Sequence, residues 1–279
     1  HDPYERILER SDSGCDGLPD NSINPGDYTT ENPNTKASWH FDQHGIVSSW
    51  PTTSGDNISI CIIDTGASDN QDNLGSQFNQ GMSTNRTVTK VSTLYTGWWI
   101  WRTLTSPNDN CGHGTSMAGL ATAPRGIDGN ATGVAYNSDL LSIKAVEDVI
   151  INTSDEKEGV RDALFMAGNS ANKIISMSIG TPFYSSTVAD GIYYAYNNNK
   201  LIFAAAGTSL SWTSWYPVIF PANMSQCNAV TGVKDNDHTV KCNTCHSGPE
   251  VMFTSPTERL SDSDRKIVAL ALSTNQPRY

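Results

Sequence analysis

Positive charge is scarce in this chain. Its 18 lysines and arginines stand against 29 aspartates and glutamates, a formal net charge of −11. That balance argues against a nucleic-acid partner, which needs a basic stripe. Long apolar runs are missing too. The longest, Ile58–Ile63 and Ile267–Leu272, fall far short of the ~20 residues of a membrane-spanning helix, so no membrane partner is expected. No internal repeat or low-complexity linker divides the 279 residues, and one domain fits better than two. The opening HDPYERILERSD lacks the apolar centre of a signal peptide and reads as the start of a processed chain.

What is present begins with six cysteines, at 15, 61, 111, 227, 242 and 245, and five N-x-S/T sequons, at Asn57, Asn85, Asn130, Asn152 and Asn223. With the acidic, lysine-poor composition they favour a secreted, disulfide-bonded glycoprotein. Residues 1–35 are polar and aperiodic and read as an irregular extension that Cys15 could tie down. Beyond them, short apolar runs at 58–66, 139–146, 173–180, 200–207 and 228–233 alternate with helical patterns at 159–169 and 187–199. Strands and helices in that rhythm imply a parallel, doubly wound α/β sheet. Active sites of such sheets gather at the carboxyl ends of the strands, where Asp64 and Gly207 fall.

Taken alone, Asp64 reads as a turn or capping residue before Gly66, and His113, between Gly112 and Gly114, as a structural histidine. Taken together they point to chemistry. A carboxylate at a strand end can hold an imidazole at a helix start in one tautomer and stabilise its protonated form, which makes the imidazole a general base for a hydroxyl nucleophile. Here the sequence resembles a known family. CIIDTG (61–66) and GHGTSMAG (112–119) look like the Asp and His motifs of the subtilisin-like serine proteases, in that family's order. The likeness continues through GVAYNSDLLSIKAV (133–146), SMSIGT (176–181), AAAGTSLSWTSWYPVIFPANMSQCNAVTGV (204–233) and VALALST (268–274). It implies a three-layer α/β/α fold over residues 36–279 and a serine endopeptidase acting on peptide or protein substrates. Asp64 and His113 would be catalytic and Thr208 would hold the oxyanion. Ser178, Ile179 and Gly180 would pair with the substrate backbone, and Ala205 and Gly207 would line its site. A propeptide or inhibitor is an implied further partner.

The resemblance also identifies decoys and departures. Gly114–Ala118 spells GTSMA, the letters of the family's nucleophile motif, but Ser116 falls one helical turn past His113 and cannot attack in line. The GTS at 207–209 lies in the oxyanion loop. Where the family carries an Asn amide donor this chain has Thr208, and losing such a donor costs about 10²–10³ in turnover. No Gly-x-Ser nucleophile motif follows ALSTNQPRY, so the fold is expected without its C-terminal nucleophile-bearing helix. A second chain carrying the serine and the C-terminal helices is then an expected partner. A pseudoprotease that binds peptides without cutting them is the alternative.

Three further features invite readings. KCNTCHSG (241–248) matches a c-type haem pattern and, with Cys227, a zinc set, but disulfides in a surface loop suit the composition better. Cys61 and Cys111 fit either two buried thiols or one bridge. GWWIWRTL (97–104) reads as packing aromatics or as a wall for the substrate's amino side. No cofactor is expected, although Asp69, Asp72 and Asn73 are the side chains that a structural calcium would use.

Overall fold

Six residues with no polar alternation, Ser59–Asp64, form β1, and five of them are buried. A strand apolar on both faces belongs in the middle of a sheet covered on both sides. The computed structural model describes residues 39–98, 101–127, 131–209, 217–235, 237–258, 267, 269–273 and 277–278. The expected extension over 1–35, with Cys15, lies outside them. The described elements run α1 (Trp39–Gln43), α2 (Ile46–Ser49), β1, a 3-10 turn (Asp72–Leu74), β2 (Val88–Ser92), β3 (Tyr95–Thr96), β4 (Thr103–Leu104), α3 (His113–Thr122) and β5 (Asp139–Lys144). They continue through α4 (Ser154–Asn169), β6 (Ile174–Met177), α5 (Ser186–Asn197), β7 (Leu201–Ala205), β8 (Asn228–Lys234), β9 (Val251–Glu258), β10 (Ala269–Leu270) and β11 (Pro277–Arg278).

Seven strands form one sheet in the order β2-β5-β1-β6-β7-β8-β9, and every pairing in it is parallel. From β1 the chain passes to the edge strand β2, returns to β5 between them, and then crosses to β6 on β1's other side. The carboxyl ends of β1 and β6 therefore flank the point where the winding reverses, the place such sheets keep for ligands. Helix α4 begins five residues before the expected 159. Thr153 and Glu156 form a reciprocal capping box there, which supplies the start signal. Helix α5 is capped by the Ser185 hydroxyl, which accepts from the Val188 N–H.

Helices α4 and α5 cover one face. Val160, Ala163, Leu164, Val188 and Ile192 pack there with Cys61, Ile63, Ile175, Met177, Ile202 and Ala204. On the other face Ala118 of α3 packs against Ile60, Ile62, Leu140 and Leu270. Among the described residues no helix follows α5, and this second face is covered unevenly. Cross-strand register places Ile174, Phe203, Val230 and Phe253 on the α3 side. None of these four is fully buried, and Leu201 on the same side is 56% exposed. The Phe203 and Phe253 rings lie 5.7 Å apart.

Two strands of the main sheet went unread in the sequence. VTKVS at β2 and VMFTSPTE at β9 are the edges of the sheet, where a single neighbour lets polar residues and Pro256 stand. The reverse holds at 268–274, where among the described residues Ala269–Leu270 is strand, paired antiparallel with β11 outside the main sheet.

Acid should weaken this fold. Burial, with His44 beside His40 and Lys241 near His246, pushes both imidazoles from 6.5 down to about 4. Between those values the unfolded chain binds protons that the folded chain does not, so stability from these groups is complete above pH 6.5 and is lost as pH falls towards 4. Each pKa unit is worth about 1.4 kcal/mol, so the melting temperature should fall by several degrees between pH 7 and pH 5. A flat profile over that range, or an unchanged slope in His40→Gln, would contradict the assignment.

Candidate active site

Asp64 is the last residue of β1 and is 1% exposed. Its Oδ1 accepts from the Thr65 N–H at 2.8 Å and lies 2.8 Å from His113 Nδ1. Its Oδ2 is buried with no hydrogen-bond partner among the described residues. A carboxylate left under-satisfied in this way gains most from the imidazole N–H. His113 opens α3, and the bond to Asp64 is the one its ring makes among the described residues. With Nδ1 engaged, Nε2 is the nitrogen left to take a proton.

The meeting of these two side chains depends on backbone approach. A Cβ on Gly114 would run into the Gly66 carbonyl oxygen, so the His turn and the Asp turn touch main chain to main chain. A residue that the sequence reading missed fastens the two turns together. Asp109, 2% exposed, accepts at Oδ1 from Thr65 Oγ1 at 3.0 Å, Cys111 N at 2.9 Å and Gly112 N at 2.8 Å. Its Oδ2 accepts from Thr115 N at 2.8 Å and Thr115 Oγ1 at 2.6 Å. Thr65 Oγ1 in turn accepts from Gly114 N at 2.9 Å. The carboxylate thus sits at the amino end of α3, where the helix dipole favours it. An Asp inside the polar turn NDNCGHG was the available signal.

Ser116 is 3% exposed, and its hydroxyl lies 2.9 Å from both the Gly112 and the Leu270 carbonyl oxygens. It ties α3 to β10 and does not face Nε2 as a nucleophile would. The segment after β10 is held alongside it, with Ser68 Oγ donating to Leu272 O at 2.5 Å and Gln71 Nε2 to Ala271 O at 2.8 Å.

The remaining expected residues gather at the same edge of the sheet. Ser178–Gly180 continue from β6, beside β1, and Ala205–Thr208 leave β7, beside β6. Gly180 is already engaged: its N–H donates to Val149 O at 3.0 Å and its carbonyl accepts from Ile151 N at 2.9 Å. Thr208 is half-buried, pairs antiparallel with Cys245, and its hydroxyl makes no hydrogen bond among the described residues. Cys242 and Cys245 form a disulfide, which removes two thiolates that zinc or haem would need. Cys61 and Cys227 are buried free thiols, and burial pushes Cys227 up to about 12. Cys111 is disulfide-bonded, so no bridge joins it to Cys61. The described residues contain no group of three or more His, Cys, Asp or Glu side chains placed to hold a metal; Asp69 pairs with Lys90 at 3.4 Å and Asp72 accepts from Ser76. In the aromatic run, Trp98 and Trp101 are 81% and 70% exposed, so for these two the packing reading fails. Trp99 lies outside the described residues.

A parallel α/β sandwich with a carboxylate-oriented imidazole at the carboxyl edge of its sheet is the kind of scaffold that serves a serine nucleophile. Residues 55–269 match the profile of the Subtilase family, and the chain belongs to that family. It is 27% identical to thermitase of Thermoactinomyces vulgaris over 189 residues, covering 68% of this chain and 60% of thermitase. Over 163 residues it is 32% identical to a subtilisin of Bacillus sp. (strain TA39), covering 57% of this chain and 35% of that protein. The chain therefore spans less than two thirds of either relative. The crystal structure of MycP1 with its N-terminal propeptide removed shares the fold at a TM-score of 0.64 and 18% identity, covering 86% of this chain and 74% of that one.

Proposed function

We propose that this chain is the Asp- and His-bearing part of a secreted subtilisin-like serine endopeptidase. The 2.8 Å contact between Asp64 Oδ1 and His113 Nδ1 carries the proposal. His113 Nε2 takes the proton of a serine hydroxyl as its oxygen attacks the scissile carbonyl. Thr208 and neighbouring backbone N–H groups hold the resulting oxyanion. His113 then returns the proton to the leaving amine, and water releases the acyl group by the same route. The substrate lies as an added strand along Ser178, Ile179 and Gly180, with Ala205 and Gly207 beneath it.

The serine comes from a segment outside these 279 residues, either a separate polypeptide after cleavage or a continuation of the same one. Two observations support its place. The uneven apolar face at Leu201, Phe203, Val230 and Phe253 suits a further helix, and residues 269–273 lie beside the first turn of α3. Secretion accords with the disulfides and with Asn57, Asn85, Asn152 and Asn223, all exposed sequon sites. A propeptide or inhibitor would occupy the same strand edge as substrate. Thr208 and the engaged Gly180 favour a second reading, a pseudoprotease that binds peptides without turnover.

Protein purified from its source should contain, with this chain, a Gly-x-Ser segment that a fluorophosphonate probe labels, as read by intact mass and fragment sequencing. Phe203→Asp should weaken the association of a separate serine segment at least tenfold, since a buried unpaired charge costs several kcal/mol. A serine segment present but unlabelled would overturn the protease reading in favour of the pseudoprotease.

A further inference from the structure

The Cys-x-x-Cys-His run has no role in the reaction as drawn, yet it lies directly against the oxyanion segment. The His246 N–H donates to Gly207 O at 2.9 Å, the Ser209 N–H donates to Thr244 O at 2.8 Å, and Thr208 between them pairs antiparallel with Cys245. The His246 ring is fully buried, and its Nε2 lies 2.9 Å from Ser209 Oγ. Gly207 has φ +110°, and a Cβ there would stand 2.6 Å from His246 Nδ1, so the imidazole takes the space a side chain would need. The loop is anchored from below. Thr231 Oγ1 donates to His246 O at 2.6 Å, Cys242 N to Gly232 O at 2.9 Å, and Lys241 Nζ to Cys245 O at 3.1 Å. The disulfide closes residues 242–245 into a ring between β8 and the oxyanion segment.

We propose that the Cys242–Cys245 loop and His246 form a brace that fixes Gly207–Ser209, with His246 the positioning residue for the oxyanion donor Thr208. The inference rests on the protease reading above. A threonine hydroxyl is short and turns about one bond, so where its hydrogen points depends on where the backbone holds it. An oxyanion donor works only when preorganised at about 2.7–3.1 Å from the developing charge, and a misplacement of about 1 Å costs on the order of 10²-fold. The brace supplies that fixity from three sides: one main-chain bond on each flank of Thr208 and an imidazole packed against the glycine before it.

Two measurements test this. In the native protein with its serine segment, His246→Leu should lower kcat about 10²-fold with KM within about twofold, because ground-state binding at Ser178–Gly180 is untouched. His246→Gln, whose amide can reach Ser209, should recover most of the loss, and Ser209→Ala should fall between them. In this chain alone, amide exchange at Ser209 and at position 246, the two N–H groups that bond across the brace, should quicken at least tenfold in His246→Leu, with Asp64–Thr65 unchanged. Wild-type protein without turnover would sink the protease reading and leave the exchange experiment to decide the brace. Unchanged exchange, or kcat and KM both unaffected, would overturn the brace itself.

Discussion

His113→Ala should lower kcat for peptide hydrolysis by the native protein about 10⁶-fold, the scale for losing the base of a serine triad. Asp64→Asn should lower it about 10⁴-fold, because an amide at that place favours the wrong imidazole tautomer. Both follow from one contact. Asp64 Oδ1 meets His113 Nδ1 at 2.8 Å, and the other carboxylate oxygen is buried without a partner among the described residues. In the proposed mechanism the charge of Asp64 orients the ring and stabilises the imidazolium formed when the serine proton transfers. Neither change removes packing of consequence, so the melting temperature should move little, and the loss should lie in kcat. Turnover within tenfold of wild type in Asp64→Asn would show that the pair does not act in catalysis.

Asp109→Ala should be the most damaging single change to stability near the site. It strips the acceptor from five donors at once: Thr65 Oγ1, the Cys111, Gly112 and Thr115 N–H groups, and Thr115 Oγ1. The surroundings are buried, so those donors gain no water in exchange, and a loss of about 3–5 kcal/mol is expected. At roughly 2–4 °C per kcal/mol for a chain of this size, the melting temperature should drop by about 10 °C. Activity should fall too, because Thr65 and Gly112 flank Asp64 and His113. Asp109→Asn, which keeps the shape but turns an N–H₂ towards one set of donors, should be nearly as costly. A drop under 3 °C in the alanine variant would mean that the network does not hold the two turns together.

Much of this was readable in one dimension. The buried strands announce themselves as β-branched runs, because a parallel strand covered on both faces needs no polar alternation. The Asp and His motifs could be recognised because their chemistry demands particular letters at a strand end and a helix start. Edge strands β2 and β9 were not readable, since one-sided pairing relaxes the pattern. Asp109 escaped for another reason. An Asp among Asn and Gly residues looks like any polar turn, and only its five donors, brought together from two turns, show its work. The exposed Trp98 and Trp101 show the same limit: a tryptophan cluster suggests burial, and here the fold leaves these two in solvent.

Letters alone settled which residues are capable of acid–base chemistry and in what order they come, since side-chain type and local spacing are properties of the chain. They could not show that Asp64 and His113, 49 positions apart, meet, or that Asp109 holds the turn, because both depend on contacts made only when Gly66 and Gly114 let two backbones touch. Nor could they show that Ser116 is locked against Leu270, or that a Cys-x-x-Cys-His run lies against Thr208. Those pairings cross the sheet, and only burial in three dimensions decides which polar groups must find one another.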